Sequence, residues 1–405
     1  MSFLQSTHLP GRRPAVKFTG RAGLRRSFGF SLVELMVAIT LGLLLTAGMV
    51  QLFSSTKVTF RTNDALARVQ ENGRFTLEML KRELREAGTN GFCAAQLEVK
   101  SHLDSAAALD EILDAGRLII GWNYAGTSSG NDFAVPEDLT PPGGTGSWSG
   151  TDVGALPAPV AGRVIPGSDV LITRRQRPIP NLTAGNTNNS SIILNDSAGN
   201  STNHGLANNP VVLVTDCATG ADLFQVTNNE NGNSFNLGAG AGGASPGNST
   251  GGCGGGLCWS TTYDDSMQAF EIEVKAYYVG LSARGEPALF EVDLSQDDPA
   301  NATPLELVGG VESMQIQYGF SRNPPAGDGQ HVDDWLSAAQ IPTDGWGQVI
   351  AMRLGFIVRS DENADGSVVE QTFNLADVNV GTQGDGRMRH AFSTTIALRN
   401  RLVVL

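Results

Sequence analysis

Twenty-four residues, Phe30 to Phe53, form an almost unbroken apolar run whose only charge is Glu34. As a helix the run would reach about 36 Å, enough to cross a hydrocarbon layer of about 30 Å. Lipid tolerates an isolated carboxylate poorly, so Glu34 requires a partner or a job. Residues 1–29 carry six basic side chains (Arg12, Arg13, Lys17, Arg21, Arg25, Arg26) and no acidic one, and they end on Gly29. A secretory signal places its apolar stretch before the cleavage site. Here the apolar stretch follows the basic leader. The excess of arginine on the N-terminal side predicts that this end faces the cytoplasm and that the rest of the chain lies across the inner membrane. A plain signal anchor, with Glu34 in the favourable first turn of a helix, is the simpler alternative.

The segment Gly29-Phe30-Ser31-Leu32-Val33-Glu34-Leu35-Met36-Val37-Ala38 resembles the signal of type IV prepilins. The resemblance implies cleavage between Gly29 and Phe30 by a prepilin peptidase, followed by N-methylation of Phe30. It also implies that Glu34 pairs with the terminal amine of a neighbouring subunit. The physics agrees, because opposite charges are tolerable in lipid when they neutralise each other.

The helical pattern continues past Phe53. Leu66, Val69, Leu77, Leu80, Leu84 and Ala87 recur at threes and fours, with Gly73 on the same stripe. Arg74–Glu78, Glu78–Arg82 and Arg82–Glu86 are spaced as i,i+4 pairs on the opposite face. Gly88 is a natural stop. The expected organisation is a leader (1–29), a transmembrane helix (30–53), an amphipathic stem helix (54–88) and an extracytoplasmic, β-rich head (89–405). The fold class is α+β and pilin-like, a long helix packed on a loop-rich antiparallel sheet.

Composition supports an exported head. The chain has 28 basic and 41 acidic residues, a net charge of −13. Removing the leader's six basic residues leaves 22 against 41, or −19. Such an exterior opposes nucleic-acid binding. The four cysteines, Cys93, Cys217, Cys253 and Cys258, suggest two disulfides in an oxidising compartment. Of the three pairings, Cys253–Cys258 with Cys93–Cys217 is favoured. A zinc site at Cys253-x4-Cys258 lacks a second close pair.

Strands are expected at Arg117–Trp122, Ser168–Arg174, Ser191–Leu194, Pro210–Cys217, Ala221–Val226, Ala269–Val279, Pro287–Leu294, Val311–Phe320, Val349–Ser360 and Phe392–Leu398. Short helices are expected at Ala106–Leu113 and Asp333–Ala339. Gly/Pro/Ser/Asn-rich loops fall at 124–165, 181–205 and 228–257. Four segments resemble the PilW-type minor pilins: Gly167–Leu171, Ala276–Val279, Leu307–Gln315 and Phe392–Arg401. The resemblance implies a structural subunit, not an enzyme, that needs no cofactor. It would prime pilus assembly with other minor pilins, the major pilin and an inner-membrane platform, and sit at the tip beneath an adhesin. Rival readings are a minor pseudopilin of type II secretion, a DNA-uptake pilin and an adhesive tip module that uses the long polar loops.

Catalytic signatures are thin. Gly247-Asn248-Ser249-Thr250-Gly251 has the letters of a nucleophile elbow, without the flanking strand and helix. Gly238-x-Gly240-x-x-Gly243 lacks a helix after it. The five histidines are isolated in sequence, and each is expected to be solvated or packed. Asp361-x-Asn363-x-Asp365-Gly366 matches the first half of a calcium loop, but Thr372 stands where the bidentate glutamate belongs. An acidic turn between strands is the favoured reading there, with calcium as the alternative.

Overall fold

The structure is a computed structural model that describes residues 29–87, 99–104, 119–144, 146–179, 183–187, 191–195, 209–227, 234–236, 247–249, 259–295, 301–322, 331–363 and 370–398. The chain divides into two units, Met1–Lys57 and Val58–Leu405. A single helix, α1 (Leu32–Glu86), contributes to both.

In the first unit every described residue is exposed. Among the described residues the side chains from Phe30 to Phe53 are therefore not buried against any other part of the chain. The few hydroxyls in this stretch are satisfied inside the helix. Thr40 donates to the Val37 carbonyl at 2.9 Å and Thr46 to that of Gly42 at 2.7 Å. Such back-bonding leaves little polar demand on the surroundings, as an apolar medium requires.

In the second unit the stem half of α1 buries Val69, Gly73, Thr76, Leu80 and Leu84, and Ala87 follows at the last turn. Leu66 and Leu77 are half-buried. The expected i,i+4 pairs are replaced. Glu78 meets Lys81, Arg82 meets Glu83, and Glu86 reaches Arg175 at 2.7 Å. Glu78 and Arg82 thus pair with nearer neighbours on the helix, and only Glu86 takes a partner from the sheet.

The described residues of the head form a nine-stranded sheet, a four-stranded one and two small three-stranded ones, Thr183–Thr187 with Ser191–Asn195 and Ser234–Asn236, and Thr372–Leu375 with Val378–Gly381 and Asp132–Ala134. The large sheet is built from β1 (Ile119–Tyr124), β2 (Val170–Pro178), β3 (Val211–Thr215), β4 (Ala221–Gln225), β5 (Gln268–Leu281), β6 (Pro287–Asp293) and β7 (Leu305–Gly309). Val99–Ser101, β4, β3, β5, β2, β1 and Trp148–Ser149 lie in that order, and β6 and β7 extend the sheet from β5. Pairing is antiparallel except between Val99–Ser101 and β4. The second sheet runs Asp334–Leu336, β8 (Val311–Phe320), β9 (Val349–Asn363) and β10 (Arg387–Ala397), all antiparallel. The α+β class is therefore as read from the sequence.

Several expectations change. The stretches 181–205 and 228–257, expected as loop, hold the strands Thr183–Thr187 and Ser234–Asn236. Asp333–Ala339 is not a helix. It forms the strand Asp334–Leu336 and a 3-10 turn at Ala338–Gln340. Pairing with β8 and stacking of the Arg353 guanidinium 4.2 Å over the Trp335 ring override the local helical preference. The stretch 124–165, expected as loop, holds short strands at Asp132–Ala134 and Trp148–Ser149 and buries Val153, Leu156, Val160 and Val164. The expected helix Ala106–Leu113 lies outside the described residues.

Phe392 of β10 covers Gly73 so closely that a Cβ at Gly73 would fall within its ring. Gly73→Leu is expected to destabilise the head by about 1–3 kcal/mol through overpacking, despite a helix propensity better by about 1 kcal/mol. Chemical denaturation measures it, and a midpoint at or above the parent's would contradict this packing.

Candidate assembly site

Glu34 sits in the first turn of α1 and is exposed, as are Gly29 and Phe30. The Leu35 amide donates to the Ser31 carbonyl at 3.0 Å, so the helical ladder is already running where the carboxylate branches off. Nothing lies within 4 Å of a Cβ built on Gly29. Among the described residues nothing crowds this position. Glu34 is the one charged residue between Phe30 and Phe53, and an ionised carboxylate in lipid is stable only beside a positive group.

Within the head, two of the segments singled out in the sequence meet, Gly167–Leu171 and Leu307–Gln315. The Gly167 carbonyl accepts from the Ser313 hydroxyl at 3.0 Å and from Gln315 Nε2 at 2.8 Å. The Met314 amide donates to Ser168 Oγ at 3.2 Å. The Asp169 amide donates to the Met314 carbonyl at 2.9 Å. The Asp169 carboxyl takes the Ile316 amide at 2.9 Å, the Tyr124 amide at 3.1 Å and the Thr127 hydroxyl at 3.3 Å. Gly167–Asp169 thus clasps β1 and β8 together. Asp169 is buried, and burial pushes its carboxyl up to about 7 against those three hydrogen bonds.

A second polar knot binds β8, β9 and β10. Glu312 is almost wholly buried and takes a two-pronged contact from Arg389 at 2.7 and 2.9 Å. Arg359 joins Glu312 at 3.0 Å to Glu286 at 2.8 Å, Arg387 holds Glu286, and Asp385 holds Arg389 at 2.6 Å. Burial opposes ionisation of Asp385, but hydrogen bonds from Arg389 and the Arg387 amide carry its carboxyl down to about 2. The sequence reading missed this knot. Its signal was present in Arg387-x-Arg389, two guanidiniums at strand spacing on one face.

The histidines are not all isolated. His102 is buried and lies 2.7 Å from Asp222, whose carboxyl also accepts from Ser260 and Tyr263. Burial acts to raise the Asp222 carboxyl, and these hydrogen bonds reverse it to below its ordinary value. The imidazole and both hydroxyls converge on the carboxylate, and among the described residues no nucleophile is hydrogen-bonded to the imidazole as hydrolysis would require. Ser249 is occupied with the His102 backbone, and Asn248 pairs with the Gln225 backbone in both directions.

Cys217 sits in the turn between β3 and β4 with a left-handed backbone (φ 58°) and is disulfide-bonded. Cys93, Cys253 and Cys258 lie outside the described residues. Asp361 and Asn363 end β9, where the Asp361 carbonyl accepts from Arg387 at 2.7 Å. Asp365 lies outside the described residues. Among the described residues no group of three His, Cys, Asp or Glu side chains is placed to hold a metal.

Comparison with known proteins bears on both regions. Residues 276–400 match the model of the Type IV Pilus-assembly protein W family. Residues 24–50 match the prokaryotic N-terminal methylation motif. The chain is type IV pilin-like and carries a PilW-type region. The whole Glu312–Arg389 knot lies in the PilW region, and Gly29, Phe30 and Glu34 lie in the methylation motif. No curated protein matches this PilW-type chain. Among solved structures, a type IV-like pilin from Thermus thermophilus is similar at 13% identity and a TM-score of 0.21, covering 48% of this chain and 84% of that one. The fold assignment rests on the strand pairing above, not on that overlap.

Asp169 sets a pH dependence. Between the ordinary carboxylate value near 4 and about 7, the folded PilW-type head keeps a proton that the unfolded chain gives up. Unfolding free energy is therefore expected to fall as pH rises through this window and to level off above it. The depressed carboxyls of Asp222 and Asp385 act only below that window, where their stabilisation is lost as pH falls. Denaturation midpoints from pH 4 to 8 read the slope, and Asp169→Asn should flatten it. The same slope in the variant would rule out this residue as its source.

Proposed function

We propose that this chain is a minor pilin that helps prime type IV pilus assembly and takes a place at the pilus tip. The observation that carries the reading is an unpartnered 24-residue apolar helix that opens with a single carboxylate and is joined to a PilW region. In this account residues 30–53 hold the unprocessed chain in the inner membrane, with the head in the periplasm. Prepilin peptidase cuts after Gly29, and Phe30 is N-methylated. Glu34 then neutralises the Phe30-type amine of a neighbouring pilin as the helices pack, and the major pilin and assembly platform extend the filament.

A minor pseudopilin of type II secretion would use the same helix, but the PilW match favours the pilus. An adhesive module working through residues 124–165 is disfavoured. Trp148, the aromatic anchor there, is buried and donates to the Ser168 carbonyl at 2.9 Å. Binding hot spots need such a side chain at the surface.

We also place the disulfides as Cys93–Cys217 and Cys253–Cys258. Val99–Ser101 runs parallel to β4 in the register Val99↔Ala221, so the chain enters that strand from the end where Cys217 turns. The later segment passes Asp222 at Ser260 and meets Thr219 only at Thr261, three residues after Cys258. Peptide mapping without reduction tests this, and a Cys217–Cys258 peptide would overturn it.

In membranes of cells that make pili, Gly29→Lys should abolish processing and leave a band heavier by the 29-residue leader. Glu34→Ala should still insert and be cleaved, yet be depleted from sheared filaments. Cleavage of the Gly29 variant, or normal filament content of the Glu34 variant, would refute the corresponding step.

A further inference from the structure

Sheet edges expose a row of unpaired backbone groups, and folded proteins usually keep such edges short, charged or bulged. In the head, the described strands that end a sheet are five residues or fewer, with one exception. Val99–Ser101 has three residues and Trp148–Ser149 two. Asp334–Leu336 has three and is guarded by the ion pairs Arg322–Asp334 and His331–Asp333. The five-residue β7 carries Glu306, and Asn72 of α1 caps its Gly309 carbonyl at 3.0 Å.

β10 is the exception. It spans 11 residues and, among the described residues, pairs on one side only, with β9. From Ala391 to Ala397 it has no charged residue, no proline and no register shift. The Leu398 amide donates to the Ile350 carbonyl at 2.8 Å. Antiparallel ladders alternate, so Phe392, Thr394 and Ile396 also bond toward β9. The N–H and C=O groups of Ala391, Ser393, Thr395 and Ala397 then point away from the sheet. The strand is held firmly for this. Phe392 packs on Gly73 and Ile396 is buried, while the Ser393, Thr395 and Ala397 side chains are exposed.

We propose that the free edge of β10 docks an extended, uncharged strand from another subunit of the same assembly. Naming the partner as an assembly subunit rests on the proposed function. The docking chemistry does not. Four outward main-chain donors and four acceptors in a rigid row are matched only by another main chain in extended form. The absence of charge along the row favours small or β-branched partner side chains over ionic ones. Specificity comes from the exposed Ser393–Thr395–Ala397 face on one side of the added strand.

The probe is a capped, fluorescent peptide copying Ala391–Leu398, which can lie antiparallel on β10 with Ser393 opposite Thr395 and no charges apposed. With the full-length protein in detergent micelles, peptide anisotropy should rise saturably. Amide exchange at Ala391, Ser393, Thr395 and Ala397 should be fast in the free protein and slowed by the peptide. Ser393→Pro and Thr395→Pro each remove an outward donor without removing a bond to β9, and should weaken binding roughly tenfold or more. Thr395→Lys should weaken it without any change to the backbone, which covers the case of a proline variant that folds poorly. Slow exchange at those four amides in the free protein, or equal peptide binding by the Lys variant, would overturn the proposal.

Discussion

The carboxyl of Asp169 is the joint on which the head turns. β2 begins beside it, and its two oxygens take backbone amides from β1 and from β8, so one side chain ties the two sheets. Around it Trp122, Trp346 and Tyr318 fill the space between the sheets. Tyr318 lies edge-on to Trp346, with its hydroxyl where a Cβ on Gly121 would stand. A larger residue at Gly121 would push β8 away from β1. Burying the carboxyl is costly, and its raised pKa registers that cost. The hydrogen bonds fix which amides face each other and hence the relative register of the two sheets.

The Glu312 knot plays a different part. Its charges are paired at close range by forked guanidinium contacts, the geometry in which burial is best tolerated. It locks β8, β9 and β10 to the turn before β6 through Glu286. The same strand, β10, brings Phe392 onto Gly73 of the stem. Membrane-type helix and folded head are thus served by opposite chemistry. One leaves a single carboxylate bare on an apolar surface. The other surrounds the buried carboxylates of Asp169, Asp222 and Glu312 with donors.

Much of this was legible in advance. The helix from Leu32 to Glu86 lies within two residues of the stretch marked by apolar periodicity. β8 matched residue for residue, and β5 followed its alternation through Phe270, Ile272, Val274 and Ala276. The N-terminal motif was legible because its chemistry is local: leader, glycine and carboxylate sit within a few residues. What could not be read was decided by distant partners. Asp334–Leu336 became a strand because β8 offered it an edge. Trp148 was drawn inside by the Ser168 carbonyl. Glu86 found Arg175 once the stem met the sheet.

By itself, then, the sequence determined that a long helix begins near Phe30, that its first half is apolar on all sides, and that a β-rich, acidic head follows. Periodicity and composition suffice for such features, since each depends on neighbours along the chain. The tertiary structure alone decided which carboxylates are buried, which arginines answer them, and which strand is left with an open edge. Those outcomes hinge on segments 47 to 147 residues apart, and nothing in the spacing of neighbouring residues encodes which of them will meet.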